Sequence, residues 1–479
     1  SFDEAADLIR RARSLVDPSD SALVAQLALE QGIAESRSGQ NLMAAHTFET
    51  AIATARNTDD VVLRVEAALR YEDAAWRPGL PGAIALGFIR EATSVLDHAV
   101  AAGSTIAGEP ELRARLAIAK MRALAMSGDR TEVIEAFEVA QRLAVELGSP
   151  NLEASVLGVF LGQVMFFEGV HEAGAMIERL AELEPLIDDD DVALHAIHDR
   201  IMYTILTGRF DERRRLVNTM AAVQERSHSS FWAFIRANQE AMEAFYRGDL
   251  DAGEALAEHC LELAEPLLDH DGSGTYGLRM FLIRREQDRL AAMAPIIRNV
   301  VASSDADGIW SPGLALVLLE TGAFDEAAEA LAAVRARGFD LPVDAMWSTV
   351  MVLLIDAMVN LGDVEACTML RSRFAGQAGT NVTTGSGLMC FGRAERYLGM
   401  LSLVIGDLDL AEQQLGVALE ADAAGGSVLW RNESRLWLSR VRRAQGHVAE
   451  ADAMLAVVGD EAAAAGLRRL QRLAVEGRS

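Results

Sequence analysis

Two short segments contain residue types that could bind a metal ion. His195 and His198 are three positions apart, so a helix would bring both imidazoles to one face. The run 269–274, Asp-His-Asp-Gly-Ser-Gly, resembles the start of a calcium-binding loop, but its twelfth position is Met280 where a bidentate glutamate is needed. No further ligand cluster accompanies either segment. We therefore predict an ordinary helix face and a polar interhelical loop, with no metal and no other cofactor.

The sequence motifs for nucleotide binding and for acyl transfer are also incomplete. The only lysine is Lys120, and its neighbours Ala119 and Met121 do not fit the phosphate-binding sequence Gly-x-x-x-x-Gly-Lys-Ser/Thr. Gly385-Ser386-Gly387 is not followed by the start of a helix, as a nucleophilic serine turn requires. We interpret the segment 376–387 as a flexible loop. The sequence predicts that this chain is not an enzyme, and an all-helical catalyst that uses such loops remains a minor alternative.

Composition narrows the class of partner and the compartment. The formal charge of -27, from 71 acidic and 44 basic residues, disfavours direct binding to nucleic acid or to anionic membranes. Three widely spaced cysteines do not form a disulfide framework, which favours the cytoplasm. The longest apolar runs, 314–319 and 350–355, are far shorter than the ~20 residues that span a bilayer. We expect no membrane segment.

A short signal that recurs along the chain indicates how these residues are positioned. In each copy, a glycine ends one helix-like run, and a polar residue and an alanine-rich amphipathic run follow. Most intervals are about 40 residues, and the two long ones are close to two periods, so a disguised turn is expected inside each. The nine glycines are Gly39, Gly128, Gly169, Gly208, Gly248, Gly322, Gly362, Gly406 and Gly446.

The repeat predicts an all-α fold, a tetratricopeptide-like helical-repeat solenoid. We expect a right-handed superhelix of antiparallel helix pairs with a period of about 40 residues. In the unit around Gly322, the residues Phe324, Ala327, Ala328 and Leu331 mark one face of the second helix. The connections 188–191, 269–277, 303–312 and 376–387 are predicted loops and candidate contact sites.

Several stretches resemble a known family more closely than the generic repeat does. They are the run 67–97, which begins Ala-Ala-Leu-Arg-Tyr-Glu-Asp-Ala-Ala-Trp-Arg-Pro-Gly; 282–290, Leu-Ile-Arg-Arg-Glu-Gln-Asp-Arg-Leu; 379–387; 396–401, Arg-Tyr-Leu-Gly-Met-Leu; and 430–446. The turn at 285–287 also supplies a repeat that lacks its glycine. These stretches resemble the tetratricopeptide region of large actinobacterial-type signal-transduction ATPases. That group includes LuxR-type and activator-type transcriptional regulators and ATPase-linked adenylate/guanylate cyclases.

The resemblance covers roughly residues 21–470 and implies a division of the chain. We expect N-terminal repeats over 1–66 that adjoin an ATPase module, central repeats over 67–300 and C-terminal repeats over 301–479, in one continuous solenoid. The first residues, Ser-Phe-Asp, lead us to expect a piece of a longer protein. The resemblance places a fixed corner near the ATPase side and a groove near the C-terminus. The candidate groove or loop contacts are Trp76, Arg77, Arg284, Arg285, Asn381, Arg396, Tyr397 and Trp430.

Tryptophans are a second class of candidate. Trp76, Trp232, Trp310, Trp347, Trp430 and Trp437 could line a ligand groove. Large aromatic side chains at helix starts also hold neighbouring helices together, and we favour that interpretation.

The sequence as a whole favours a non-catalytic sensor or regulatory region of a signal-transduction ATPase, chiefly a transcriptional regulator. A small effector or a protein partner would bind in the concave groove of the solenoid, and the ATPase and output domains of the parent chain would respond. The first alternative is the same region of an ATPase-linked cyclase. The second is a free-standing tetratricopeptide scaffold for protein-protein interaction. Self-association is left open.

Overall fold

The fold was obtained as a computed structural model. It describes residues 2–76, 78, 80–125, 130–165, 169–265, 267, 272–304, 309–341 and 346–478. In these ranges, twenty-five α-helices follow one another: α1 Phe2–Leu15, α2 Ser21–Arg37, α3 Asn41–Ala55, α4 Val61–Trp76, α5 Gly82–Ala101, α6 Glu109–Ala125, α7 Arg130–Leu147, α8 Pro150–Gln163, α9 Gly174–Leu183, α10 Asp190–Thr207, α11 Phe210–Ser227, α12 Ser230–Arg247, α13 Leu250–Ala264, α14 Gly272–Glu286, α15 Ala294–Ser304, α16 Ser311–Glu320, α17 Phe324–Ala330, α18 Ala332–Ala336, α19 Trp347–Leu361, α20 Val364–Phe374, α21 Ala394–Ile405, α22 Leu408–Ala424, α23 Val428–Ala444, α24 Val448–Ala464 and α25 Arg468–Glu476.

The turns between helices show why the glycine signal recurs. Gly406 ends α21 in the left-handed region at φ +93°, a conformation that costs an L-residue steric energy, and its N–H bonds back to Ser402 and Leu403. Asp407 then caps α22 by accepting the N–H of Leu410 at 3.4 Å. Gly128 lies outside the described residues, and the other eight repeat glycines all have positive φ.

The repeat that lacks its glycine is also present. At the predicted turn after α14, Asp288 adopts φ +59°, and the N–H groups of Asp288 and Arg289 bond back to Arg285 and Arg284. Aspartate is one of the few residue types with a side chain that tolerates this conformation. The helix therefore ends there as predicted.

The chain divides into two compact units. Unit 1 comprises Ser1–Tyr203, Leu216–Arg236 and Glu262–Gly272, and unit 2 comprises Thr204–Arg215, Ala237–Leu261 and Ser273–Ser479. The three-part division predicted from the sequence, with boundaries after residues 66 and 300, stays a prediction.

Within unit 1, each helix from α1 to α9 packs on the next, and α2, α4, α6 and α8 also contact one another in that order. We call these four helices the stacked row of unit 1. In unit 2, α19, α21, α23 and α25 form an equivalent stacked row. In a helical-repeat protein, each helix packs on the other helix of its pair, and each pair packs on the next pair. The predicted all-α helical-repeat solenoid is confirmed.

The core between α4, α5 and α6 illustrates the packing of one repeat. Val65 and Leu69 of α4 pack with Ile89 and Leu96 of α5 and with Leu116 of α6, and each is at most 6% exposed. Their spacing of four and seven residues places them on one face of each helix. Alanines fill the close approaches, among them Ala68, Ala92 and Ala119.

One segment departs from the helical pattern. The predicted flexible loop at 376–387 is wrong, because β1 Asn381–Thr384 pairs antiparallel with β2 Met389–Arg393 in a two-stranded hairpin. All four residues of β1 are buried, as are four of the five in β2. A sequence that reads as polar and glycine-rich thus enters the interior of unit 2.

Two smaller expectations also need correction. The predicted loop 269–277 is helical from Gly272 onward, and residues 269–271 lie outside the described part of the chain. In the repeat after Gly322, Ala327 and Leu331 are buried as predicted, but Phe324 is 53% exposed. Phe324 is the first residue of α17, and its side chain at this helix end does not pack against the neighbouring helices as Ala327 and Leu331 do.

Candidate functional site

A group of four side chains from four different helices meets in unit 1. The guanidinium carbon of Arg122 lies 5.2 Å from the ring centre of Trp76, and the rings of Trp76 and His195 are 5.8 Å apart. His195 in turn meets Trp232 edge-on, with ring centres 4.6 Å apart. These residues come from α4, α6, α10 and α12, and we call them the aromatic cluster. The side chains of Arg122 and His195 are 22% and 32% exposed, whereas Trp232 is 2% exposed.

Acidic side chains fix the polar edge of the aromatic cluster. Glu72, which is buried, accepts two hydrogen bonds from Arg122, at 2.8 and 2.7 Å. Burial disfavours the guanidinium charge, but Glu72 outweighs that effect and raises the pKa of Arg122. The indole N–H of Trp232 donates to a carboxylate oxygen of Asp191 at 2.7 Å. The cluster therefore has fixed side-chain positions, and its guanidinium stays charged while paired with Glu72.

Asp199 is a second titratable group on α10, four residues after His195. Burial raises the pKa of Asp199 to about 8. A Cβ built on Gly158 would lie 2.7 Å from a carboxylate oxygen of Asp199, so this carboxyl lies directly against α8. The described residues give the Asp199 carboxyl no hydrogen bond or ion pair. The Asp199 side chain is half-buried and lies at the edge of this helix contact.

In unit 2, the hairpin is held through its main-chain carbonyls. Gln239 of α12 donates to the carbonyl of Ser386 at 3.0 Å, and Arg279 of α14 donates to that of Leu388 at 3.1 Å. Trp430 of α23 donates its indole N–H to the carbonyl of Cys390 at 2.9 Å. Ser386 and Leu388 lie in the turn between the two strands, and Cys390 lies in β2. Helices far apart in sequence therefore bind both the turn and the second strand of the hairpin.

The base of the hairpin contains a buried cation. The guanidinium of Arg396 lies between the rings of Tyr397 and Trp430, at 4.6 and 4.4 Å from their centres. It donates to the Asp422 carboxylate at 3.2 Å and also to the Phe391 carbonyl. Arg396 and Asp422 are at most 1% exposed. This pair is therefore satisfied by the chain itself.

The residues predicted as contacts from the resemblance fall into separate places. Trp76 belongs to the aromatic cluster of unit 1, and Arg77 lies outside the described residues. In unit 2, Asn381, Arg396, Tyr397 and Trp430 meet at the hairpin, where Asn381 donates to the carbonyl of Ile205 at 2.8 Å. All four are buried within unit 2. A binding role for any of them stays a prediction.

The two predicted arginines of α14 both make ion pairs within unit 2. Arg284 donates to Glu254 at 2.7 Å, which raises the pKa of Arg284. Arg285 donates to Asp356 at 2.7 Å and is 8% exposed. Both guanidiniums hold neighbouring helices together in this structure.

Sequence reasoning missed several members of these two groups. Arg122 and Asp199 belong to no sequence motif. Nothing in the sequence around Gln239 or Arg279 indicates that its side chain binds a hairpin carbonyl. The sequence indicates Trp232 only as one of six tryptophans and His195 only as half of a possible metal pair. Their ring contact joins positions 37 residues apart, close to one repeat. The repeat period would have paired them.

The described parts of the chain contain no group of three or more His, Cys, Asp or Glu side chains placed to hold a metal ion. The three cysteines are buried and free. In the same parts of the chain, no helix combines the length and the apolar character needed to cross a membrane.

Comparisons with known proteins concern the fold. No protein-family model matches the chain, and no curated protein matches it. One similar solved structure is the APC/C hetero-tetramer Cut9-Hcn1, with 12% identity and a TM-score of 0.46 over 93% of this chain and 84% of that chain. Another is the human IFIT1 dimer with m7Gppp-AAAA, with 13% identity and a TM-score of 0.42 over 98% and 95% of the two chains. What this chain binds must follow from its own side chains.

Proposed function

We propose that this chain is a non-catalytic recognition and regulatory region of a multidomain signal-transduction ATPase, with a cytoplasmic transcriptional regulator as the parent protein. One observation carries the binding part of the proposal, namely the aromatic cluster of unit 1. Four helices contribute to it, and three of its side chains, those of Trp76, Arg122 and His195, remain partly exposed. Such a group can respond to a ligand and report it to several repeats at once.

The chemistry of the aromatic cluster suits a ligand with a planar or apolar group. Indole and imidazole rings offer flat faces and edges, and Arg122 adds a fixed positive charge beside Trp76. Asp191 is already bonded to Trp232, so the cluster keeps its shape without the ligand. An effector or a side chain of a partner protein fits this description. Preorganised side chains reduce the entropy cost of binding.

The hairpin supports a different role for unit 2. Its turn and second strand occupy the side chains of Gln239, Arg279 and Trp430, which could otherwise donate hydrogen bonds to an extended peptide partner. We therefore assign recognition of this effector or partner to the aromatic cluster of unit 1 and a structural role to the hairpin of unit 2.

Regulation would follow from a population shift. A ligand that binds one arrangement of the repeats better than another favours that arrangement, by no more than its difference in affinity. An attached ATPase would sense the arrangement through the repeats that join it. The resemblance of residues 67–97 and 282–290 to regions of signal-transduction ATPases supports this context. The cyclase parent and the free-standing scaffold are the competing proposals.

The intact mass of the endogenous protein tests the context. We expect a species much heavier than 51.6 kDa, with a Gly-x-x-x-x-Gly-Lys peptide upstream of this region. The peptides of its output domain would distinguish a regulator from a cyclase. A species of the mass of this chain would refute the ATPase context and leave the scaffold.

The binding part is tested in the parent protein by the double substitution Trp76→Ala and His195→Ala. We expect the response of nucleotide hydrolysis to a cell extract to be lost while the rate without extract is kept. Phe324→Ala is the matched control, because Phe324 is an exposed aromatic residue of unit 2. An unchanged response in the double variant would refute the assignment to the aromatic cluster.

A further inference from the structure

A surface cavity of 530 Å³, open to solvent, lies in unit 2 where three turns between helices meet. The charged residues that line it are exposed. Arg247, Asp249 and Asp251 line it from the turn between α12 and α13, and Arg289 lines it from the turn after α14. Arg468 contributes from the start of α25. The volume is within the range of about 300–1,000 Å³ that small-molecule sites occupy.

Ion pairs beside the cavity hold its walls together. Arg469 of α25 donates to Glu286 of α14 at 3.1 Å, although the two residues are 183 positions apart. Arg472 binds Asp288 through two nitrogens at distances between 2.9 and 3.1 Å, and it binds Glu320 at 2.9 Å. The last helix of unit 2 is therefore fixed against the end of α14. The cavity does not depend on a ligand for its shape.

The charges that line the cavity are incompletely neutralised. Arg289 and Arg468 make no ion pair or side-chain hydrogen bond with the described residues, whereas Arg247 is 3.3 Å from Glu243. Asp249 accepts the N–H of Ala252 at 3.1 Å and so is partly used as a helix cap. Three arginines face two aspartates, in a chain with a formal charge of -27. The guanidiniums of Arg289 and Arg468 are both exposed to solvent, and the charge of Arg289 also acts on the Glu254 carboxylate of α13.

Guanidinium groups recognise particular anions. Their planar arrangement of N–H donors matches two oxygens of a phosphate or a carboxylate, and such charge-assisted bonds are about twice as strong as neutral ones. The glycine turn at Gly466 leaves open space beside Arg468, since a Cβ there would meet no atom within 4 Å. Leu250 adds an apolar wall. The cavity therefore combines an anion-binding end with room for an organic group.

We propose that this cavity binds a small organic phosphate, with the phosphate group between Arg289 and Arg468. Arg247 adds to the positive field, and Asp251 opposes it. The site is independent of the proposed function, because its residues are not part of the aromatic cluster. Ligand binding would also add contacts between the end of α14 and α25, which would stabilise unit 2.

Calorimetric titration of the chain with AMP and with inorganic phosphate tests the proposal. We expect AMP to bind, and Arg468→Gln to weaken its binding by at least about tenfold, as the loss of one charge-assisted contact predicts. Asp251→Asn should tighten binding, because it removes a negative charge from the wall. Arg478→Gln, at an exposed arginine that does not line the cavity, is the control for the overall change in charge.

Each outcome bears directly on the site. Tighter binding of AMP than of phosphate identifies an organic phosphate as the ligand class, while equal binding of both that still depends on Arg468 supports free phosphate at the same arginines. Absence of binding by both probes at about millimolar concentration would overturn the proposal. An equal loss in Arg468→Gln and Arg478→Gln would do so as well, since it would indicate general charge attraction. Thermal unfolding of each variant checks that it remains folded.

Discussion

Substitution of Gly392 by alanine should destabilise unit 2 strongly. Gly392 lies in β2 at φ +71°, in the left-handed region that disfavours a side chain. A Cβ at this position would lie 2.8 Å from each of three atoms: Nη1 of Arg396, Oδ1 of Asp422 and Cγ of Trp430. Real Cβ atoms do not approach other atoms this closely, so at least one neighbour has to move.

The magnitude follows from two costs. The left-handed conformation costs alanine about 1–2 kcal/mol, and the insertion of a methyl group into a packed core costs about 1–3 kcal/mol. The neighbours have little freedom to relieve the second cost. Trp430 is held by its bond to the Cys390 carbonyl, and Arg396 is held by Asp422. We expect a total loss of about 2–5 kcal/mol in the free energy of unfolding.

Urea unfolding, followed by circular dichroism and tryptophan fluorescence, measures this loss. Gly446→Ala is the matched control, because Gly446 has φ +89° and a Cβ there would meet nothing within 4 Å. The control should lose only the unfolding free energy that corresponds to the left-handed backbone conformation, about 1–2 kcal/mol. An equal loss in both variants would refute the reasoning, since it would mean that the neighbours of Gly392 move aside without cost.

Three further predictions concern ionisable side chains that are buried or half-buried in the fold. Asp422→Ala should cost about 3–5 kcal/mol of unfolding free energy in the same assay, because the Arg396 guanidinium would stay buried without its charge partner. Burial raises the pKa of the Cys390 thiol to about 12 and that of Cys367 to about 11, so at pH 8 both should react with a thiol reagent only on unfolding. The pKa of Asp199, raised to about 8 by burial, means that the folded state keeps a proton that the unfolded chain releases near pH 4. Stability linked to this proton is lost as the pH rises from about 4 to about 8, so Asp199→Asn should become progressively more stable than the wild type over that window.

Each of these predictions has a control in the same chain. Asp409→Ala, at an exposed position of α22, should have little effect beside Asp422→Ala. Thiol labelling in denaturant should modify all three cysteines, and rapid labelling of Cys390 in the folded protein would contradict its burial. Asp59→Asn, at an exposed carboxyl of unit 1, should not change the pH dependence. A stability difference between Asp199→Asn and wild type that is independent of pH would contradict the raised pKa.

The repeat architecture could be predicted because its signals are local. A glycine such as Gly406 ends a helix through its own φ angle, and Asp407 begins the next helix through a bond to an N–H three residues away. The apolar faces need only the spacing of three to four residues along each helix. Even the repeat without a glycine was visible from the period, and Asp288 takes the positive φ there.

The hairpin could not be predicted, because its stability depends on distant partners. Residues 381–393 contain glycines and polar side chains that resemble a surface loop. A buried carbonyl needs a hydrogen-bond donor. Gln239 and Arg279 supply donors to the carbonyls of Ser386 and Leu388, which lie 147 and 109 positions away in the sequence. No local pattern encodes such a pairing.

The sequence by itself thus determined the helical repeat, the acidic character of the chain and the absence of a complete catalytic motif, since all three depend on composition or on neighbours within about one turn of helix. Only the tertiary structure decided which side chains meet. Trp76 and Trp232 join one aromatic cluster through His195, while Arg289 and Arg468 line one cavity, although 179 residues separate them in the chain. The physical reason is that the stacking of repeats places residues from different helices side by side, and that placement depends on the packing of every repeat between them.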